Sequence, residues 1–419
     1  MQPMVRPVDR CRVCGRDDWL DVLSFGETLL AGDFQDPADP PGDRYPLDVA
    51  VCRECRLMSL RHVVSPEKLF EHYLYVSSDS GLITGHSRRL VEHSVAGLGL
   101  AEGDLVVELG SNVGAQLAMF QEAGLRTVGV DPARNLAAAA NERGVETLPE
   151  YFTTAAAVRV AERHGPARMV LGRQCFAHID DVHEVLDGAT RLLTADGVLA
   201  IEVPYLVELL ANNQFDTIFH EHLSYFSLGT LHRLFGGHGL RVFDVWTAPV
   251  HGGSIVVFAT PEASPRPTRP VVGEMLADER ARGLTGEDVY RRFAARVERV
   301  RAEIGDLVRG LVAGGATVAG YGAPAKGSAL LQACGLGRAE VAFCTDTTSL
   351  KQGRLLPGSR IPVCSPEEGT ARRPDYFLLL AWNYAEEIIR KERRFLEDGG
   401  RFIVPIPEPR IVSAQTVTA

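Results

Sequence analysis

The sequence predicts an α/β protein in three parts, a small metal-stapled N-terminal domain followed by two Rossmann-like domains. Three observations predict it. Two close cysteine pairs stand near the N-terminus, Cys11/Cys14 and Cys52/Cys55. A strand, glycine turn, helix and strand ending in an acid occupy residues 105–131, and the same logic recurs at 317–346. The 419 residues are too many for one ordinary core and fit two or three domains. At 45% apolar and 23% charged, the chain has a globular rather than a disordered balance.

Charge narrows the partners. Fifty-four acidic residues against 44 Lys and Arg leave −10, which argues against gripping nucleic acid or an anionic membrane, since both need a basic face. No apolar run approaches the ~20 residues that span a bilayer. Met1-Gln2-Pro3-Met4-Val5-Arg6 lacks the apolar stretch of a signal peptide, so a cytoplasmic protein is expected. The sequence says little about oligomeric state, and a monomer is the default expectation. Eight cysteines in so long a chain are no secreted disulfide framework, and a reducing compartment follows.

In the N-terminal part, residues 1–75, each C-x2-C knuckle presents two thiolates to one ion, and two knuckles complete a tetrahedral sulfur shell. A full shell leaves no open position, so zinc at Cys11, Cys14, Cys52 and Cys55 would be structural, stapling a domain too small to hold itself. Paired redox cysteines are the alternative. The stretch from Asp36 to Asp43 reads as a loop between the knuckles.

The central part, residues 76–260, opens its nucleotide-binding pattern with the strand Leu105-Val106-Val107-Glu108 and the turn Gly110-Ser111-Asn112-Val113-Gly114. Glycines let a ligand approach the backbone, and the following helix offers unpaired N–H groups. Asp131, closing the next strand, is placed to accept from ribose hydroxyls. A dinucleotide or an adenosyl cofactor fits, but the G-x-G-x-x-G order of dinucleotide folds is absent. Strands at Met169–Gly172 and Val198–Val203 continue a doubly wound sheet, which brings Gln174 and Cys175 to the cleft.

The densest polar group is Phe215-Asp216-Thr217-Ile218-Phe219-His220-Glu221-His222-Leu223-Ser224-Tyr225. Histidine moves protons near neutral pH, and a neighbouring carboxylate orients the ring. The i, i+4 histidine spacing of zinc proteases is missing, so no metal is read here. Satisfied, partly buried histidines are the plain alternative. His178 follows the strand at 169–172, and Tyr73, Tyr75 and Ser78 precede the glycine turn.

Four prolines between Pro261 and Pro270 read as a linker to the third part, residues 271–419. Thr285-Gly286-Glu287-Asp288 resembles a helix N-cap. Tyr290, Phe293, Val297, Val300, Ile304, Leu307 and Leu311 then form one apolar stripe that Gly314-Gly315 ends. Gly320-Tyr321-Gly322-Ala323-Pro324-Ala325-Lys326-Gly327 is a second glycine turn, without the order of a P-loop, whose lysine suits a diphosphate or a carboxylate. A plain surface lysine is the alternative. Strands are expected at Val341–Phe343, at Tyr376–Ala381 with Trp382-Asn383 at its end, and finally at Phe402–Pro405.

Taken in order, the knuckles, E-x-G-x-N-x-G, F-D-T-I-x-H-E-H, V-H-G-G at 250–253, G-Y-G-A-x-A-K-G and K-Q-G-R at 351–354 resemble the sugar C-methyltransferases dependent on S-adenosylmethionine (SAM). Those enzymes act on thymidine-diphosphate-linked (dTDP) 4-keto deoxysugars in antibiotic biosynthesis. The likeness spans nearly the whole chain and implies a class I SAM methyltransferase fold in the central domain, with the C-terminal Rossmann-like domain helping to hold the nucleotide sugar. It implies His222 as general base with Glu221, His178 and Tyr73 around the sugar. It implies Glu108, Gly110, Asn112, Gly114, Asp131 and Gln174 at SAM, and Tyr75, Ser78, His251, Tyr321, Lys326, Lys351 and Asn383 at the substrate. Methylation at C-3 is the first expectation and C-5 the second. An N- or O-methyltransferase, or a nucleotide-sugar-binding protein without catalysis, are the alternatives.

Two positions depart from the family. Phe219 stands where a tyrosine is usual, so a phenol beside the sugar is missing. Tyr225 or His220 replaces it, or the substrate differs around its carbonyl, or the smallest change that deletes a hydroxyl was introduced. Val113 stands where an aspartate is usual, so one carboxylate near the cofactor is lost.

Overall fold

The computed structural model describes residues 4–70 and 81–417. Its N-terminal sheet is antiparallel and holds the strands Trp19–Leu29, Arg44–Cys52 and Met58–Leu60. The two knuckles turn alike. Gly15 N–H donates to the Cys11 carbonyl at 2.8 Å and Arg56 N–H to the Cys52 carbonyl at 2.9 Å. Gly15 and Arg56 both sit in the left-handed region, at φ +69° and +62°. The fourth strand of this sheet is no part of the N-terminal segment. It is Ser224–Tyr225, directly after the histidine cluster, paired as Ser224 to Ser59 and Tyr225 to Met58.

The central sheet has seven strands. By first residue their order is Leu240, Ser254, Leu193, Ala167, Leu105, Arg126, Thr147. The five from Leu193 to Thr147 run parallel, and the strands Leu240–Ala248 and Ser254–Pro261 are antiparallel additions. Burial on both faces explains why the parallel strands read as unbroken apolar runs. The order reverses between Leu105–Leu109 and Ala167–Arg173, and a crevice outside their carboxyl ends is where such sheets bind ligands.

Pro270 opens a helix, Pro270–Ala281, at the position where a missing N–H costs nothing. That helix packs back onto the central domain. Its Glu279 accepts from the backbone N–H of Leu228 and Gly229, at 2.6 and 2.8 Å, and from the Tyr205 hydroxyl at 2.9 Å. The long helix spans Asp288–Ala313. Glu287 precedes it but makes no capping bond; its carboxylate is drawn to Arg53 and Arg291 at 2.8 and 2.6 Å, so the expected cap is not formed. The apolar stripe is fully buried from Tyr290 to Ile304 and then passes to Val308, leaving Leu307 and Leu311 half-buried. A 3.5-residue repeat drifts around a 3.6-residue helix, and that drift is the reason.

The C-terminal sheet has six strands, ordered by first residue Val363, Cys344, Val318, Tyr376, Arg401, Arg410. Five are parallel and the last is antiparallel. Two expectations are corrected here. The strand after the second glycine turn is Cys344–Thr345 rather than Val341–Phe343, and Arg401–Val404 is followed by the strand Arg410–Val412. Among the described residues no helix is long and apolar enough to cross a membrane.

Candidate active site

The glycine turn after Leu105–Leu109 is shaped by close approach. A Cβ on Gly110, at φ +65°, would stand 2.7 Å from that of Cys175, and one on Gly114, at φ +74°, would meet Val145 at 2.8 Å. Between them Asn112 takes φ +53°. Asp131 accepts the Asn112 N–H at 2.8 Å on one oxygen and the Ala133 N–H at 2.9 Å on the other, which leaves each oxygen a lone pair for ribose hydroxyls. Burial raises the carboxyls of Asp131 and Glu108, the latter to about 8 against the pull of Arg173. Glu108 Oε2 is buried without a hydrogen-bond partner, a vacancy that a ligand ammonium would fill. Val113 packs with Ala133 and Leu136, an apolar setting that explains how the turn does without a carboxylate there.

On the other lip of the crevice Gln174 takes φ +55°. Its amide donates to Glu202 Oε1 at 2.7 Å and to the Ser254 hydroxyl at 2.9 Å. The Cys175 thiol donates to the Leu109 carbonyl at 3.2 Å, and burial pushes its pKa up, so it is no nucleophile. The donor and acceptor set fits SAM: a buried carboxyl, Glu108, that an ammonium beside it would ionise, Asp131 for the ribose, and backbone N–H groups at the helix start.

His222 lies half-buried at the end of the segment that begins with the short 3₁₀ turn Phe215–Thr217. Its Nδ1 donates to the Thr217 carbonyl at 2.6 Å, so Nε2 carries the free lone pair. The His178 ring packs on it with centroids 5.0 Å apart, and the Phe219 ring at 4.1 Å. Burial, with His178 and then Lys326 adding to it, pushes His222 well below its ordinary 6.5; burial alone brings His178 to about 4. Glu221 is buried against Gly32, where a Cβ would stand 2.9 Å from Oε1. His251, at φ +55°, precedes Gly252 and Gly253 at φ +91° and +111°, a turn that bends back on Gln214 and Glu208. Tyr73, Tyr75 and Ser78 lie outside the described residues.

Both replacements expected for the missing phenol lie at the N-terminal sheet, with the Tyr225 hydroxyl and His220 Nδ1 buried without a hydrogen-bond partner among the described residues. His220 Nε2 is 3.3 Å from the Tyr45 carbonyl and its ring stands edge-on to Tyr45, which ties it to the N-terminal sheet. Tyr225 is buried in the strand that pairs with Met58, and burial drives its hydroxyl pKa well up. Phe219 itself fits an apolar nest with Ala31 and Ala329.

From the C-terminal domain, Lys326 reaches across and donates to the His251 carbonyl at 2.9 Å. Lys351 pairs with Asp346 at 3.2 Å and donates to the Ala323 carbonyl at 3.1 Å, bracing the second glycine turn. The Tyr321 hydroxyl is engaged by Glu392 at 2.7 Å and its ring packs on Phe377 and Phe402. Asn383 sits in the short turn Trp382–Tyr384. The structure thus brings His178, His222, His251 and Lys326 together and holds Tyr321 in the packing of its own domain.

The four knuckle sulfurs lie within 4.8 Å of one another, with Cys11–Cys55 and Cys14–Cys52 each at 3.4 Å. That closed thiolate set is a structural zinc site.

Comparison with known proteins agrees. Family models match a zinc binding domain at residues 11–70, a methyltransferase domain at 84–245 and a C-methyltransferase C-terminal domain at 249–407. The chain is 64% identical to C-methyltransferase NovU of Streptomyces niveus over 418 residues, covering 99% of this chain and 100% of that one. The chain belongs to the C-methyltransferase family. It is a SAM-dependent enzyme whose methyl acceptor is carbon, which sets aside the heteroatom and non-catalytic alternatives. Solved structures overlap less. Magnesium protoporphyrin IX methyltransferase of Synechocystis PCC 6803 is 15% identical over 45% of this chain and 90% of its own, at TM-score 0.34. A Burkholderia thailandensis 1,6-didemethyltoxoflavin-N1-methyltransferase is 22% identical over 43% and 78%, at 0.31.

Two residues of this C-methyltransferase escaped the reading of the sequence. Glu202 is fully buried and also receives His86 at 2.8 Å and Arg173 at 3.1 Å on its second oxygen. The signal was an acid inside the apolar run Ile201-Glu202-Val203. Asp216, also fully buried, accepts the Trp382 indole N–H at 2.6 Å from the other domain. Nothing local marks that pair.

Proposed function

We propose that this C-methyltransferase acts on a dTDP-linked 4-keto deoxysugar, at C-3 or C-5, with His222 as the general base. A ring C–H is acidic enough to lose its proton only where an adjacent ketone spreads the charge onto oxygen, and those two carbons flank C-4. The observation that supports the reading is the 2.6 Å bond from His222 Nδ1 to Thr217, which leaves Nε2 as the acceptor. Burial keeps the ring neutral at pH 7, so the base needs no prior deprotonation. In the proposed step Nε2 takes the proton, and the C–H electron pair passes into the enolate, whose carbon becomes the nucleophile. SAM, when bound, supplies the electrophilic methyl group. The rings of His178 and Phe219 both pack on the imidazole and help to fix its orientation.

The substrate class is tested by melting the protein with S-adenosylhomocysteine and thymidine, uridine or guanosine diphosphate. A ligand at about 100 times its Kd adds ~2.7 kcal/mol to stability. Selective stabilisation by the thymidine nucleotide is expected; equal shifts with all three, or none, would count against the nucleotide-sugar reading.

A further inference from the structure

Removing a proton next to a ketone leaves negative charge on the ketone oxygen, and a cleft that excludes water needs its own donor for that oxygen. The phenol that would stand at position 219 is a benzyl ring in this chain, His220 contacts the Tyr45 carbonyl, and Tyr225 is a strand residue of the N-terminal sheet. A cation is nevertheless close by. Lys326 begins the helix Ala325–Ala333, which packs on the 3₁₀ turn Phe215–Thr217. One turn further along the same helix face, Ala329 nests with Phe219, whose ring lies 4.1 Å from that of His222. The lysine therefore starts one helical turn from the residue that backs the base, near enough for its charge to act on the His222 ring.

Its ammonium is partly uncommitted. Among the described residues the His251 carbonyl, at 2.9 Å, is its one hydrogen-bond acceptor, which leaves two of three N–H bonds. Behind it Asp216 is fully buried, with Oδ2 held by Trp382 at 2.6 Å and Oδ1 without a partner. Burial lowers Lys326 and Asp216 draws it back.

We propose that Lys326 is the electrophile of this active site, its ammonium donating to the sugar ketone oxygen and stabilising the enolate that His222 generates. This inference rests on the keto-sugar reading above and replaces the diphosphate role expected for the lysine from the sequence. No atom is transferred to or from the lysine: the ketone C=O bond becomes C–O⁻ as the proton passes to His222, and the ammonium hydrogen bond shortens.

The test uses the whole enzyme with S-adenosylhomocysteine and a dTDP-4-keto-6-deoxysugar in D₂O, reading deuterium wash-in at the carbons beside the ketone, alongside kcat and KM for methylation with SAM. Lys326→Met is expected to lower both wash-in and kcat by roughly 10²–10³ while KM and the S-adenosylhomocysteine melting shift stay near the parent values. Lys326→Arg should recover part of the loss, because the charge is kept. Wash-in at the parent rate in Lys326→Met, or a variant that raises KM alone, would overturn the proposal and return the lysine to diphosphate binding. Parent enzyme that neither exchanges nor methylates the keto sugar would instead sink the substrate reading on which it rests. Should Lys326→Met fail to fold, Lys326→Gln carries the same comparison.

Discussion

A histidine ring offers two nitrogens, and at His222 the Thr217 carbonyl decides which of them carries the proton. Replacing the ring by an amide, His222→Asn, is expected to cost roughly 10²–10⁴-fold in kcat while the melting shift with S-adenosylhomocysteine is kept; turnover within a few-fold of the parent would remove His222 from the mechanism. The pH profile tests the same residue independently. A base must be neutral to act, and burial places the His222 pKa well below 6.5. The acidic limb of kcat/KM should therefore fall below pH 6.5, and a limb at or above it would contradict the buried setting. The cluster itself was legible, because two histidines and a glutamate among aromatic residues are conspicuous in any sequence. The tautomer was not, since a backbone carbonyl five residues earlier sets it through the fold of the turn.

At the scale of elements, Glu202 joins three of them. It binds Gln174 on the cofactor lip, Arg173 on the neighbouring strand and His86 on the helix Gly81–Glu92. Burial alone would raise this carboxyl, but Arg173, His86 and Gln174 together hold it at about 2. Because the folded value lies below the ordinary 4.5, its contribution to stability is present above pH 4.5 and is lost as pH falls toward 2. Glu202→Ala removes the carboxylate partner of the partly buried Arg173, which keeps Ser87 and Gln116, and urea unfolding at pH 7 is expected to show a loss of about 1–3 kcal/mol. The gap between parent and variant should narrow from pH 4.5 downward; a constant gap would mean that packing rather than charge is responsible. The long helix Asp288–Ala313 was readable from its stripe because a helix repeats locally. Its missing cap was not readable, because Arg53 competes for Glu287 from another domain.

On the scale of the molecule, the zinc knuckles and the histidine cluster share one sheet. Arg12, between the first two cysteines, donates to the carbonyls of Leu60 and Leu223 at 3.2 and 3.4 Å and pairs with Asp180 at 2.9 Å. Leu223 is the residue after His222. Loss of the metal should therefore reach the base. Cys52→Ala is expected to release zinc, measured with a colorimetric chelator, and to lower both the melting temperature and kcat. Normal activity in a zinc-free variant would show the N-terminal sheet to be independent of the cleft.

The sequence by itself determined the zinc thiolates, the glycine turns, the acids that end the strands, and the alternation that makes two Rossmann-like sheets. Each rests on a few consecutive residues, and neighbours along the chain suffice to specify it. Only the tertiary structure decided that Ser224–Tyr225 completes the N-terminal sheet, that Asp216 meets Trp382, and that Ala329, on the helix of Lys326, nests with Phe219. Those pairs are separated by more than a hundred residues, and what joins them is the burial of three domains against one another, which no local pattern records.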